Sequence, residues 1–185
     1  TPLITENYAN IYFEDITAQK EIEKQLELAK ITFDNTSEAV MITDLRGRIV
    51  NINRAFTLIT GYDMEEIIGK TPAVMKSGKH GEDFYREMWS SIQSNGFWQG
   101  EVWDRKKNGE IYPKWLTINS VRNEDEIIEY YVGIFSDITK MKKNEEYIHF
   151  LAHYDVLTEL PNRLLLTDRY HQLSLEAEEK NVFMA

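Results

Sequence analysis

Tyr131-Val132-Gly133-Ile134-Phe135-Ser136-Asp137-Ile138-Thr139 is the stretch that decides how this chain folds. An apolar run with strand character ends on Asp-Ile-Thr, and charged residues at helical spacing follow. Asp and Thr oxygens accept the unpaired N–H groups of a first helical turn, so the stretch reads as a last strand handing over to a helix. The phrase also occurs near the start, as Asn10-Ile11-Tyr12-Phe13-Glu14-Asp15-Ile16-Thr17. Positions 15 and 137 lie a domain's length apart, which is too far for a solenoid repeat. The chain is therefore expected to open on the tail of one module, residues 1–17, and to contain a complete second one.

Working back from Tyr131, residues 97–105, 112–119 and 129–135 are strand-like. The first two are joined by Lys106-Lys107-Asn108-Gly109-Glu110, whose Asn-Gly is a strong hairpin signal, and the second turn is Arg122-Asn123-Glu124-Asp125. Further back, residues 39–44 and 49–53 form a hairpin around Leu45-Arg46-Gly47-Arg48. Between them and the three later strands, residues 54–60, 64–68 and 81–92 are short helical candidates, none stable alone. This order predicts an α+β domain over residues 34–139: a five-stranded antiparallel sheet with short helices on one face. Amphipathic linker helices flank it. In residues 18–33, Ile22, Leu26, Ala29 and Phe33 make a narrow seam that suits either a helix lying on its own domain or a parallel coil between two chains. Residues 140–152 continue a second seam, Ile138, Met141, Glu145, Ile148 and Ala152, in which Glu145 weakens the coil. Residues 153–185 then read as the truncated start of a third module, with a helix over 162–180 and a strand beginning at Val182-Phe183-Met184-Ala185.

Bulk properties narrow the function. With 42% apolar residues, four Trp, ten Tyr and eight Phe in 185 residues, the chain can bury a core. It has no cysteine, which rules out disulfides, thiolate metal sites and a cysteinyl adduct. No stretch approaches the roughly eighteen apolar residues a bilayer span needs, and Thr1-Pro2-Leu3-Ile4-Thr5-Glu6 has neither a basic nor an apolar leader region, so a cytoplasmic protein without membrane contact is expected. A net charge of −10, with scattered basic residues, argues against nucleic-acid binding. No nucleophile–base motif or phosphate loop is present, so no catalytic residue is assigned.

Ala39-Val40-Met41-Ile42-Thr43-Asp44, Val50-Asn51-Ile52-Asn53-Arg54-Ala55-Phe56, Thr60-Gly61-Tyr62, Glu65-Glu66-Ile67-Ile68-Gly69-Lys70, Trp98-Gln99-Gly100-Glu101, Arg105-Lys106-Lys107-Asn108-Gly109-Glu110 and Asp137-Ile138-Thr139 occur in an order and spacing that resembles a PAS sensor domain with its PAC continuation, over residues 32–139. By the same likeness, residues 1–17 are similar to the last strand of an upstream PAS domain. Residues 155–163, Asp-Val-Leu-Thr-Glu-Leu-Pro-Asn-Arg, resemble the opening of a GGDEF diguanylate cyclase domain. That resemblance implies a cyclase signature beyond Ala185, a fragment that is not itself an enzyme, and a parent that makes cyclic di-GMP, with or without a phosphodiesterase domain. The implied function is a sensory module that controls the cyclase through linker helices and homodimerisation. The alternatives are a ligand-free dimerisation spacer and a flavin-binding redox sensor.

The resemblance also implies a pocket between the helices and the inner sheet face, for which Met41, Asn53, Phe56, Trp89, Trp98, Asp104 and Trp115 are the candidate lining residues. The same aromatics would equally fill a plain core, and a small-molecule ligand is compatible with either wall. For a flavin such as FAD, Trp89 would pack on the ring system and Asp104 would stand where an amide often meets the ring edge; an ionised Asp cannot donate as an amide does. His80 is either an axial haem ligand or a loop residue. His149 and His153, four apart, have zinc-like spacing without a third ligand, so no metal is assigned. Asp137, Ile138 and Thr139 form the signal exit.

Overall fold

The computed structural model describes residues 17–179, with side chains described as far as residue 174; of the expected module tail over residues 1–17 all but Thr17, and the strand expected at 182–185, lie outside the described residues. Five strands form one antiparallel sheet in the order β2-β1-β5-β4-β3: β1 (Ala39–Thr43), β2 (Ile49–Ile52), β3 (Phe97–Arg105), β4 (Ile111–Arg122) and β5 (Ile128–Asp137). Between β2 and β3 lie α2 (Arg54–Thr60), α3 (Met64–Ile67), a 3-10 turn (Pro72–Met75) and α4 (Glu82–Asn95). Helix α1 (Thr17–Asn35) precedes the sheet, and α5 (Thr139–His153) and α6 (Arg163–Glu179) follow it. This is the expected α+β architecture. β4 and β5 run past their predicted ends because they pair with each other as far as Arg122 and Ile128, with a bulge after Val121.

Alternation decides which side chains face the helices. On β4, Tyr112, Lys114 and Leu116 are buried whereas Ile111 and Trp115 are exposed; on β3, Val102 and Asp104 are buried between less buried neighbours. The short helices complete the inner layer: Phe56 of α2, Ile67 of α3, Met75 of the 3-10 turn and Ile92 of α4 are all fully buried. Phe56 meets Phe135 of β5 edge to face at 5.8 Å.

Asn53 joins these pieces. Its Oδ1 accepts the N–H groups of Phe56, capping α2, and of Val40 on β1. Its Nδ2 donates to the Phe33 carbonyl, the Thr36 hydroxyl and the Glu38 carbonyl, where α1 enters the domain. The covering segments also engage both margins of the sheet at single points. Ile49 of β2 exchanges backbone hydrogen bonds with Gly69 and Lys70. At β3, Lys76 bridges to Asp104, the Ser77 hydroxyl donates to the Trp103 carbonyl and His80 Nε2 accepts the Trp103 N–H. Neither α1 nor α5 buries a residue; Ile22 and Leu26 on the α1 seam are 60% and 66% exposed.

Asn53→Ala is expected to strand a helix cap and several buried polar groups, lowering stability by about 3 kcal/mol in urea unfolding, with Asn53→Asp nearly as damaging because a carboxylate cannot donate to three acceptors.

Candidate functional site

A cavity of about 300 Å³ lies between α4, the 3-10 turn and the inner sheet face. Met41 and Thr43 of β1, Tyr131 and Gly133 of β5, Leu116 and Ile118 of β4 and Val102 of β3 form its floor; Tyr85, Met88 and Trp89 of α4 form the opposite wall. Arg46 and Gly47 from the β1–β2 turn, with Thr71, Pro72, Ala73 and Lys76, complete it. Trp89 is held edge to face on Tyr131 at 5.4 Å.

The polar centre of the cavity is an ion pair. Lys114 Nζ lies 2.6 Å from Asp104 Oδ2, with side chains 3% and 9% exposed, and the ammonium also sits 4.1 Å over the Phe135 ring. Register brings the pair together: Asp104 faces Tyr112 and Lys114 faces Val102, so the two are diagonal neighbours on the inner face. Burial pushes the Tyr85 phenol up, and the nearby Asp104 charge adds to it. Tyr112 is raised by burial and by Asp104 and Asp137, which keeps it a neutral phenol.

Met41, Trp89 and Asp104 thus lie on the cavity wall, and the other four candidates do not. Asn53 is a buried structural cap, and Phe56 is core. Trp98 faces inward but packs on Phe84 at 5.7 Å, its indole crossing so close over Gly100 that a Cβ there would lie 2.8 Å from the ring. Trp115 is on the outer face, 46% exposed, because its parity on β4 is opposite to that of Lys114 and Leu116. Lys114, Arg46 and Lys76 were not among the expected wall residues. A lysine at an apolar parity of β4 was the available signal for Lys114.

The proposed cofactors meet committed groups. A flavin edge would find at Asp104 a carboxylate paired with Lys114 instead of an amide, so the residue present does not fit that role. His80 is half-buried, stacks on Phe84 at 4.0 Å and spends Nε2 on the Trp103 N–H, so it holds the edge of β3 instead of extending from the loop as a ligand. His149 and His153 stack at 4.3 Å on α5, and no group of three metal-type ligands occurs among the described residues.

At the exit, Asp137 Oδ1 accepts the Thr139 N–H and Oδ2 lies 3.1 Å from Lys106 Nζ, while Ile138 is buried and its N–H donates to the Pro113 carbonyl. Asp137 therefore serves the first turn of α5 from one position before the cap, Ile138. Lys142, one turn into α5, reaches Glu101 on β3 at 2.7 Å, and Glu101 also accepts the Trp103 indole N–H.

A PAS domain family profile matches residues 37–140. The chain belongs to the PAS domain family. This PAS domain is a sensory domain of the signal-transduction type. The nitrogen fixation regulatory protein of Klebsiella oxytoca is 24% identical over 154 residues, 82% of this chain and 31% of that protein. The cyclic di-GMP phosphodiesterase PdeR of Escherichia coli is 23% identical over 165 residues, 86% of this chain and 24% of that protein. The chain thus spans less than a third of the length of either relative. The crystal structure of a PAS domain from Colwellia psychrerythraea superposes with a TM-score of 0.59 at 28% identity, covering 63% of this chain and 98% of that one. No described helix is long and apolar enough to cross a membrane.

Two outcomes are expected from the charges. Lys114→Met leaves Asp104 buried without its partner and costs about 3–5 kcal/mol in urea unfolding, most of it recovered in the Asp104→Leu/Lys114→Met double variant. Burial pushes the Asp137 carboxyl up, but its contacts with Thr139 and Lys106 outweigh that and hold it below its usual range. A depressed folded-state value stabilises above the unfolded one, so this contribution is present at neutral pH and is lost as pH falls below about 4; Asp137→Asn flattens that part of the pH–stability curve.

Proposed function

We propose that this chain is the sensing and transmitting segment of a diguanylate cyclase: a PAS domain whose cavity state biases α5, and through it a cyclase domain that begins near residue 153. The observation that carries the reading is the continuity of β5. Tyr131 and Gly133 line the cavity, and the strand runs on to Asp137, whose carboxylate meets the first turn of α5. A second link is lateral, since β3 carries Asp104 in the cavity and Glu101 bonded to Lys142 of α5. A displaced cavity wall is thereby coupled to the helix at two points, and a bias of a few kcal/mol is enough to shift its register or pairing.

The segment after α5 supports the cyclase assignment by its order. Asp155 accepts from the N–H groups of Leu157 and Thr158 and from the Thr158 hydroxyl, and Asn162 fixes the loop to Ala152 and His153 while capping α6 through Leu165. Val156, Leu157 and Leu160 remain exposed, Leu157 at 91%, as a surface for the domain to which the resemblance assigns this loop. The uncovered seams of α1 and α5 favour homodimerisation through the linker helices over helices folded back onto the sheet. A cytoplasmic location follows from the same reading.

The intact gene product containing this segment, given GTP and magnesium, is expected to form cyclic di-GMP, and Asp137→Ala is expected to disconnect its output from cavity ligands; absence of product overturns the cyclase assignment. In sedimentation, the 185-residue chain is expected to dimerise and Ile22→Glu/Leu26→Glu to be monomeric. A wild-type chain that stays monomeric at high concentration removes the linker-helix pairing.

A further inference from the structure

The charge of the cavity opposes the charge of the chain. Against a net −10, the basic side chains on the cavity wall are Arg46, Lys76 and Lys114, and the acidic one is Asp104. Asp104 and Lys114 cancel each other inside. Arg46 and Lys76 are exposed, and neither forms an ion pair among the described residues. Asp44, the acid nearest to Arg46 along the chain, spends Oδ1 on the backbone N–H groups of Arg46 and Arg48. The Lys76 ammonium rests 4.0 Å over the Tyr85 ring, which positions it without neutralising it.

Two uncompensated cations thus border a cavity whose remaining walls are largely apolar. A charged group carried down to the Asp104–Lys114 pair would disturb a balance already closed, so a ligand charge belongs at the exposed border and must be negative. At about 300 Å³ the space stands at the small end of ligand pockets. Resting on the sensory reading above, we propose that the cavity binds a small amphipathic carboxylate. Its ring or branched apolar body lies among Met41, Met88, Leu116 and Ile118, and its carboxylate is met by Arg46 and Lys76. Arg46 supplies the planar fork that matches a carboxylate, and Lys76 the second charge.

The matched probes are indole-3-acetate, its neutral amide indole-3-acetamide and the cation tryptamine, titrated calorimetrically into the 185-residue chain. Indole-3-acetate is expected to bind at least about tenfold more tightly than either, as a charge-assisted contact allows, with the advantage shrinking as salt rises. Arg46→Gln/Lys76→Gln is expected to bring indole-3-acetate down to the level of the amide without lowering the urea midpoint. Equal affinity for the amide, preference for tryptamine, or no binding of any of the three overturns the carboxylate assignment. The proposals fail separately: a neutral molecule co-purifying in native mass spectrometry overturns the carboxylate and keeps the sensor, whereas a parent that forms no cyclic di-GMP overturns the cyclase reading and leaves the titration intact.

Discussion

The amide of Asn53 holds together three segments that lack the length to hold themselves. Seven residues of α2, five of β1 and the end of a helix that buries nothing all meet at one fully buried side chain. Short helices gain little from their own hydrogen bonds and depend on being fixed to a sheet. An asparagine suits this position because it accepts and donates at once, and here Oδ1 has two partners and Nδ2 three. Helix α2 is fixed to the sheet as a result, and the cavity lies farther along the same inner face, under α4 and the 3-10 turn.

Within that space the sheet supplies the charge. β3 and β4 place Asp104 and Lys114 on the same face by hairpin register, and Glu101, of opposite parity on β3, reaches Lys142 of α5. One strand therefore has a side facing the cavity and a side facing α5, separated only by its pleat. The exit at Asp137 is held by Lys106, which belongs to the turn between β3 and β4. Cavity, turn and exit helix share a single hairpin.

Much of this architecture was legible in residue order. Asn108-Gly109 announced the β3–β4 turn, and the turn forms there, with Gly109 at φ 91°. The Asp-Ile-Thr phrase announced the strand-to-helix handover, although the carboxylate acts from one residue earlier than a standard cap. Wall residues were harder to read. Trp115 suggests an interior by its size, yet its parity sends it outward, and Lys114 suggests a surface although it is 2% exposed. A lysine inside a sheet makes physical sense only once its acid is found, and Asp104 is located by strand register instead of by nearness in sequence. Asn53 is hard to read for a related reason: a buried polar residue serves the backbone as readily as a ligand.

The partly covered margins of the sheet bear on its association with other chains. Ile49 on one border is engaged by Gly69 and Lys70, and Trp103 on the other by Ser77 and His80. A chain that strings similar domains in tandem invites strands to cross from one copy to the next during synthesis, and an open border is where such exchange and fibrillar stacking start. With Ile49 and Trp103 engaged by the domain's own loops, a strand from another chain meets each border already interrupted near its middle or end, which works against edge-to-edge pairing.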